Sequence, residues 1–244
     1  AENVTVILDN TTGDPRFELA DDIVSFSLEG TGNARIIGNA LDNVLRGNDG
    51  NNVIDGRGGD DTLIGKQGDN VLLGRSGNDI MVTGGGSNAL WGGSGDDVLY
   101  NIGAGLGRLS GGSGDDMILV GNGEAIILAG SGIDLMQMVG GDQDTSLDVL
   151  VGDLSASDVL DLSALSVNSL TDHTSELVQG DLEVGLDGFV DTNGDPIDHN
   201  LVFAANTEGS VDAAMTRMGE YDAPHDITLA QLQELNAMNT GLVY

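Results

Sequence analysis

Residues 38–137 repeat a nine-residue pattern of the form G-G-x-G-x-D-x-U-x, in which U is a large aliphatic residue. The clearest copies are residues 56–64 (GRGGDDTLI), 74–82 (GRSGNDIMV), 92–100 (GGSGDDVLY) and 111–119 (GGSGDDMIL). The glycines permit a tight turn with positive φ, and three strand residues follow. A short period kept over this many copies predicts a parallel β-solenoid.

The eighth position of the repeat is apolar in every copy and predicts the interior column of the solenoid. Its members are Ile36, Leu45, Ile54, Leu63, Leu72, Met81, Leu90, Leu99, Leu109, Ile118, Ile127 and Met136. One extra residue interrupts the column, and we assign it to Asn101. Thirty-nine glycines and 3% aromatic residues suit such thin coils better than a conventional core.

The charge balance is strongly acidic, with eight Lys plus Arg against forty Asp plus Glu and a net charge of −32. This balance argues against nucleic acid or an anionic membrane as a partner. Disorder is disfavoured because the apolar residues are periodic. Halophilic solvation remains open, but acids at fixed places in the repeat favour a cation-binding surface.

Cysteine is absent. This fits a secreted protein that is stabilised by metal ions instead of disulfides, and it fits a cytosolic protein equally well. The first residues show no basic n-region followed by an apolar h-region, so we expect no cleavable signal. No window approaches the length of apolar sequence that spans a bilayer.

The sixth position distinguishes the two edges of the solenoid, because two repeats make one coil and alternate repeats stack on the same side. On one side it reads Asn43, Asp61, Asp79, Asp97, Asp116 and Asp134. On the other side it reads Asn52, Asn70, Asn88, Gly107 and Ala125. Only the first side carries a column of carboxylates.

Stacked carboxylates need a counter-ion. Neighbouring coils lie about 4.8 Å apart, where like charges repel by roughly 1 kcal/mol in water and about 4 kcal/mol at a surface-like dielectric. The neighbouring Asp60, Asp96 and Asp115 add to this repulsion. A hard cation with many oxygen ligands removes it, and calcium suits the site better than magnesium, which gives up water reluctantly. The asparagine side can bond its neighbours without an ion.

The repeats of residues 29–137 resemble the RTX family of calcium-binding β-rolls, found in bacterial proteins exported by type I secretion. The resemblance implies an all-β fold, a parallel β-roll of two sheets with 18 residues per coil. It also implies several Ca²⁺ ions, here mainly along the aspartate edge, and a secreted, extracellular protein that could remain associated with the cell surface.

In the family, each calcium lies between turns that are one coil apart. When this arrangement is transferred to the present sequence, the first set of ligands is Arg57, Gly59 and Asp61 with Gly74, Ser76 and Asp79. The second is Arg75, Gly77 and Asp79 with Gly92, Ser94 and Asp97. The third is Gly93, Gly95 and Asp97 with Gly111, Ser113 and Asp116. The fourth is Gly112, Gly114 and Asp116 with Ala129, Ser131 and Asp134. The aspartates contribute side chains, and the other residues contribute carbonyl oxygens.

The flanks of the repeats predict caps. Residues 1–28 form N-terminal cap strands, 138–165 close the roll, and 166–244 form a C-terminal cap and secretion region of strands and helices. In that region we expect a loop over 166–181, a hairpin of 182–186 with 189–190, a strand over 201–204 and a short helix over 210–218. Thr228 and Gln231 form a capping box that begins a helix with an apolar face, and Gly241 ends it. Its face carries Leu229, Leu232, Leu235 and Met238. The segment from Asp191 to Asp195 is a hairpin loop or an isolated weak calcium site.

Positions seven and nine should face outward, and they are unusually apolar. They read Ile64, Val82, Tyr100, Met117 and Leu119 on one sheet and Val71, Leu73, Trp91, Ile126 and Leu128 on the other. Exposed apolar patches of this size are rare in monomers. We therefore expect the C-terminal segment or another chain to cover one sheet.

No catalytic constellation stands out. The three histidines lie far apart, and there is no H-E-x-x-H, G-x-S-x-G or P-loop. We expect an extracellular calcium-binding β-roll rather than an enzyme, with folding triggered by Ca²⁺ after type I secretion. The alternatives are a surface-layer or adhesin unit that self-associates or binds other surface proteins, and an accessory module that positions polysaccharide for an extracellular enzyme.

Overall fold

The computed structural model describes residues 2–8, 13–103, 105–121, 123, 125–138, 147–152, 158–161, 174–178, 181–185 and 199–203. Every regular element among them is a β-strand, and successive strands alternate between two sheets. The nine-stranded sheet contains β1 (Glu2–Leu8), β3 (Ile23–Gly30), β5 (Val44–Arg46), β7 (Thr62–Lys66), β9 (Ile80–Thr83), β11 (Val98–Asn101), β13 (Met117–Val120), β15 (Leu135–Met138) and β17 (Val159–Asp161).

The second sheet has eleven strands, eight of which alternate with those of the first sheet. These are β2 (Arg16–Glu18), β4 (Ala34–Ile37), β6 (Asn52–Gly58), β8 (Val71–Ser76), β10 (Asn88–Ser94), β12 (Gly107–Ser113), β14 (Ala125–Ser131) and β16 (Leu147–Gly152). The sheet ends in β20 (His199–Phe203), β19 (Asp181–Gly185) and β18 (Thr174–Val178). Only β18–β19 and β19–β20 pair in antiparallel fashion among the described pairs. The fold is therefore the predicted all-β, two-sheet parallel roll.

The register confirms the 18-residue coil. Leu63 pairs with Met81 across β7 and β9, and Ile54 pairs with Leu72 across β6 and β8. All twelve residues of the predicted interior column are no more than 2% exposed, and they belong to one continuous hydrophobic core between the sheets. The core is narrow because each coil contributes two such side chains.

The extra residue does not lie where the repeat pattern suggested. Asn101 pairs with Thr83 in the normal register, whereas Gly107 pairs with Asn88 one residue out of step. The insertion therefore falls after Asn101, in the turn that leads to β12. Asn101 itself is buried and accepts a hydrogen bond of 3.0 Å from the Thr83 hydroxyl.

The N-terminal strands continue the coil geometry. β1 pairs in parallel with β3, and β2 pairs in parallel with β4. Phe17 and Phe26 close this end of the core, with ring centroids 5.2 Å apart.

The C-terminal expectations need correction in two places. The expected loop over 166–181 contains β18, because residues 174–178 pair with β19. The expected hairpin of 182–186 with 189–190 is also wrong, since β19 pairs with the strand before it and with β20. Two strands, β16 and β17, lie within the segment 138–165 that was expected to close the roll, and β20 coincides with the expected strand over 201–204 up to Phe203. The two expected helices and the segment from Asp191 to Asp195 lie outside the described residues.

The outer faces of the two sheets differ. On the nine-stranded sheet the outward-facing Ile64, Val82 and Leu119 are all 0% exposed, whereas Trp91 and Leu128 on the other sheet are 42% and 45% exposed. This burial agrees with the expectation that one sheet face is covered, and what covers the face stays a prediction.

Candidate metal edge

The predicted ligands lie together at one edge of the roll. The first three residues of each predicted turn end the strands β6, β8, β10, β12 and β14, and the aspartates immediately precede β7, β9, β11, β13 and β15. We call this the Asp edge, made of Asp61, Asp79, Asp97, Asp116 and Asp134. Register pairing stacks equivalent positions on one another, for example Arg75 on Gly93 and Gly93 on Gly112.

Each aspartate of the Asp edge accepts a hydrogen bond from the preceding coil. The backbone N–H of Asp61 donates to Oδ1 of Asp79 (2.8 Å), and that of Asp79 donates to Oδ1 of Asp97 (2.8 Å). The same bond joins Asp97 to Asp116 and Asp116 to Asp134. All five side chains are buried. One oxygen of each carboxylate is therefore committed to holding adjacent coils together.

The row continues to a residue that the repeat pattern did not identify. The backbone N–H of Asp134 donates to Oδ1 of Asp158 at 3.2 Å, and Asp158 is fully buried. Asp158 is 24 residues beyond Asp134, so it falls outside the nine-residue register. Its position directly before β17 was the available signal, because every aspartate of the row directly precedes a strand of the nine-stranded sheet.

The second carboxylate oxygen is left without a partner. Oδ2 of Asp61, Asp79, Asp97 and Asp116 is buried and makes no hydrogen bond. Buried polar atoms of this kind are rare in native proteins and carry a penalty of about 1–3 kcal/mol, more when charged. Four in one row indicate that a ligand belongs beside them.

The backbone around these oxygens is shaped by glycine. A Cβ atom on Gly74 would collide with Oδ2 of Asp79 and with the carbonyl oxygen of Gly92 in the next coil. The same holds at Gly92 for Oδ2 of Asp97 and the carbonyl oxygen of Gly111. The geometry therefore brings an aspartate oxygen and a carbonyl oxygen of the next turn, both predicted ligands, to the same side-chain-free space.

Carbonyl oxygens at the other predicted positions are also directed along the stack. The carbonyl oxygen of Gly59 lies against the Cα of Gly77, and that of Gly77 lies against the Cα of Gly95. At the third position, Ser94 and Ser113 each accept one backbone hydrogen bond from the preceding coil, of 3.0 and 2.8 Å. A carbonyl oxygen has two lone pairs, so one remains for a cation.

Burial and crowding raise the pKa values of four aspartates of the Asp edge. Removal from water, together with the charges of neighbouring aspartates, raises the pKa of Asp97 to about 8 and those of Asp61 and Asp116 to about 7. The pKa of Asp79 rises to about 6 for the same reasons. The hydrogen bond from the preceding coil opposes these shifts without cancelling them. A fully charged row therefore requires a compensating cation.

The fifth position of the repeat forms a second row of bonds in the opposite direction. The backbone N–H of Asn78 donates to Oδ1 of Asp60 (2.8 Å), and that of Asp115 donates to Oδ1 of Asp96 (2.9 Å). Asp60 and Asp96 thus connect adjacent turns as well as adding negative charge.

The opposite edge supplies most of its own hydrogen-bond partners, although Oδ1 of Asn52 is buried without one. Oδ1 of Asn70 accepts the N–H of Asn52, and Oδ1 of Asn88 accepts the N–H of Asn70, both at 3.0 Å. The amide Nδ2 of Asn88 then donates to the carbonyl oxygens of Gly84, Gly85 and Gly86 in its own turn at 3.2–3.4 Å. We call Asn52, Asn70 and Asn88 the Asn edge. The expectation that these side chains bond their neighbours is confirmed.

A family model described as RTX calcium-binding nonapeptide repeat (4 copies) matches residues 37–72, 73–101 and 103–136. The repeat region belongs to the RTX calcium-binding family. The match covers the coils that carry the Asp edge. No curated protein matches the chain.

The residues of the RTX region fit calcium. The described residues contain no group of three or more His, Cys, Asp or Glu side chains placed to hold a metal, so an ion here needs backbone carbonyls as ligands. The Asp edge supplies only oxygen atoms, from carboxylates whose Oδ2 is unpartnered in Asp61, Asp79, Asp97 and Asp116 and from carbonyls next to glycines, and calcium prefers such a set. Thiolate or imidazole ligands, which zinc prefers, are absent from the predicted sets.

Proposed function

We propose that the protein is an extracellular β-roll that binds a row of Ca²⁺ ions along the Asp edge and completes its folding when it meets the ion. The observation that carries the proposal is the row of buried, unpartnered Oδ2 atoms. Calcium would supply divalent charge and accept several oxygen ligands at once. The ligands would be the four sets of residues that begin with Arg57, Gly59 and Asp61 and end with Ala129, Ser131 and Asp134.

The contribution of the chain is to arrange oxygen atoms in register. The hydrogen bonds from N–H to Oδ1 fix one oxygen of each aspartate, and the glycine turns leave space beside the other. Without the ion, the charged carboxylates oppose close stacking of the coils. Calcium binding therefore supplies folding free energy directly.

A calcium titration of the full chain tests this function. We expect far-UV circular dichroism to show only a partly folded population in chelator, a cooperative gain of β-structure on adding calcium, and reversal by chelator. Magnesium at the same concentration should be much less effective. β-structure that is complete in chelator and unchanged by calcium would refute the proposal.

Ion-triggered folding also suits export. RTX proteins typically leave the cell by type I secretion, and a chain that stays unfolded at low cytosolic calcium can be threaded through a channel and fold outside. The described residues include no helix with the length and apolar character needed to cross a bilayer. Export is tested by expressing the full chain in cells with and without a type I secretion apparatus and comparing the amounts of protein in the medium.

Assembly through an exposed sheet is a second candidate, favoured by Trp91 and Leu128. Both side chains are large, apolar and more than 40% exposed on the outer face of the eleven-stranded sheet. Sedimentation of the calcium-loaded chain should then show a dimer or larger species that Trp91→Ser converts to a monomer. A monomer at all concentrations would exclude this role for the face.

A further inference from the structure

The outer face of the nine-stranded sheet carries a buried apolar patch that the core does not include. We define the outer patch as Ile64, Val82, Val98, Met117, Leu119 and Leu135, on strands β7 to β15. The first three and Leu119 are 0% exposed, and Met117 and Leu135 are 5% and 7% exposed. Val98, Met117, Leu119 and Leu135 form a hydrophobic cluster separate from the interior core.

The described strands do not account for this burial. β9, β11 and β13 have their main contacts with neighbouring strands of their own sheet and with strands across the core. Side chains at positions seven and nine point away from that core, because the side chain at position eight points into it. Residues at equivalent positions on the other sheet, such as Trp91 and Leu128, are exposed. Burial of the outer patch within a single chain therefore requires another segment of that chain.

We propose that residues 204–244 cover the outer patch, with the segment 228–240 lying across strands β7 to β13 as an amphipathic helix. This is the longest part of the chain outside the described residues. Its capping box begins a helix whose apolar stripe is Leu229, Leu232, Leu235 and Met238. Within the segment 228–240, Glu234 is the only charged residue.

The dimensions of the two surfaces agree. The stripe from Leu229 to Met238 spans about 14 Å along a helix at 1.5 Å per residue. The four strands β7, β9, β11 and β13 cover about 14 Å at the usual spacing between strands. A helix laid across the strands can therefore place its apolar stripe over Ile64, Val82 and Leu119 in turn.

The arrangement couples the C-terminal segment to the ion, a step that rests on the proposed function. The outer patch exists only when the coils carrying β7 to β13 are stacked, and the same coils meet at the Asp edge. Calcium would thus create the surface on which residues 204–244 dock.

Cysteine pairs test the proposal cleanly, because the sequence contains no cysteine. In the full chain, Val82→Cys with Leu232→Cys would be treated with a short bifunctional maleimide in calcium. The control pair is Trp91→Cys with Leu232→Cys, which places the first cysteine on the opposite sheet. Both variants would first be checked for the circular dichroism of the parent.

We expect an intramolecular cross-link in the first pair and at least severalfold less in the control, scored by mass spectrometry after separating monomer from dimer. An equal yield in both pairs, or none in either, would overturn the proposal. A cross-link found only in dimers would also overturn it and assign the patch to a second copy. Loss of the cross-link in chelator supports the coupling to calcium. A cross-link that persists in chelator, with calcium-independent circular dichroism, would leave the docking intact and reject the folding trigger.

A second measurement does not depend on cross-linking. Leu232→Asp with Leu235→Asp should expose the outer patch and raise the fluorescence of a hydrophobic dye severalfold in calcium. Gln233→Asp with Ala237→Asp adds the same charge to the face of the helix opposite Leu232 and Leu235 and should leave the dye signal unchanged. Equal signals from the two double variants would contradict the proposed docking.

Discussion

The backbone N–H of Asp79 donates a 2.8 Å hydrogen bond to Oδ1 of Asp97, one coil further along the roll. On the opposite edge, the N–H of Asn70 makes the corresponding bond to Oδ1 of Asn88. The two edges therefore use the first side-chain oxygen identically. They differ only in the second atom, since Nδ2 of Asn88 donates to carbonyl oxygens of its own turn whereas Oδ2 of Asp97 has no partner. The asparagine amide therefore has partners in its own turn at the place where the aspartate leaves an oxygen unpartnered.

Replacement of Asp97 by Asn should convert one step of the Asp edge into an Asn-type step. We expect Asp97→Asn to stabilise the chelated protein by about 1–3 kcal/mol, because an unpartnered buried acceptor becomes a donor facing carbonyl oxygens. Calorimetry should show fewer calcium ions bound, since two predicted ligand sets share Asp97. Urea unfolding in chelator measures the stability.

Asp96→Asn is the matched control for that substitution. It removes the same charge from the adjacent residue, whose Oδ1 accepts the N–H of Asp115 and would continue to do so. The control should have little effect on calcium stoichiometry. Equal loss of calcium in the two variants would mean that general charge, and not the buried row, governs binding.

The reverse substitution should create a calcium requirement on the Asn edge. Asn88→Asp removes the donor to Gly84 and Gly86 and places a buried carboxylate among carbonyl oxygens. We expect a loss of about 1–3 kcal/mol in chelator, much of it recovered in millimolar calcium. Asn78→Asp adds the same charge at an exposed fifth position, between Asp60 and Asp96, and should cost less in chelator because solvent screens it. If Asn88→Asp lost the same stability in chelator and in calcium, an ion could not replace the asparagine amide at this position.

The sequence pattern predicts most of this arrangement, and the reason is its period. Because coils stack in constant register, residues 18 apart become neighbours, and the column from Asp61 to Asp134 follows directly. Asp158 was missed because the chain between it and Asp134 breaks the period. The insertion was misplaced at Asn101 because glycine-rich turn sequences align almost equally well in two registers, and only strand pairing decides between them.

The hairpin at the far end of the roll shows a different limit. Residues 174–178 are polar enough to suggest a loop, yet they form β18 because β19 lies beside them. Strand formation depends on the pairing partner as much as on the residues themselves. No local pattern in the sequence identifies that partner.

Glycine at the fourth position should be intolerant of any side chain. Gly95 has φ +118, and a Cβ atom there would collide with the carbonyl oxygen of Gly77 in the preceding coil. We expect Gly95→Ala to lose well over about 1 kcal/mol in saturating calcium, since backbone strain and collision add. Gly13 has φ +112 with open space around it, so Gly13→Ala carries the strain alone and should lose less. Urea unfolding of both variants measures the two losses of stability. Equal losses would show that small shifts of the backbone remove the collision at Gly95.

The metal-free roll should become less stable as the pH rises through neutrality. Burial and neighbouring carboxylates raise the pKa values of Asp79, Asp61, Asp116 and Asp97 in the folded chain to about 6, 7, 7 and 8. The folded state therefore holds protons that the unfolded chain has released above about pH 4, so protonation favours folding. This stability is complete at low pH and is lost as the pH rises through the folded pKa values. Between pH 5.5 and 8.5 we expect a loss of about 1.4 kcal/mol per pH unit for each carboxyl group that remains protonated.

Thermal unfolding in chelator across that range measures the effect, and ordinary carboxylates contribute little because they are already ionised. In calcium the stability should instead rise with pH, since the ion binds deprotonated aspartates and no longer competes with protons for them. Asp97→Asn should flatten the chelated profile, because the carboxyl group whose pKa rises to about 8 is gone. Asp96→Asn removes only a neighbouring charge and leaves all four carboxyl groups in place, so it should flatten the profile less. A chelated profile that is flat or rises with pH would show that the buried row does not hold its protons, and the electrostatic reason for needing a cation would then be lost.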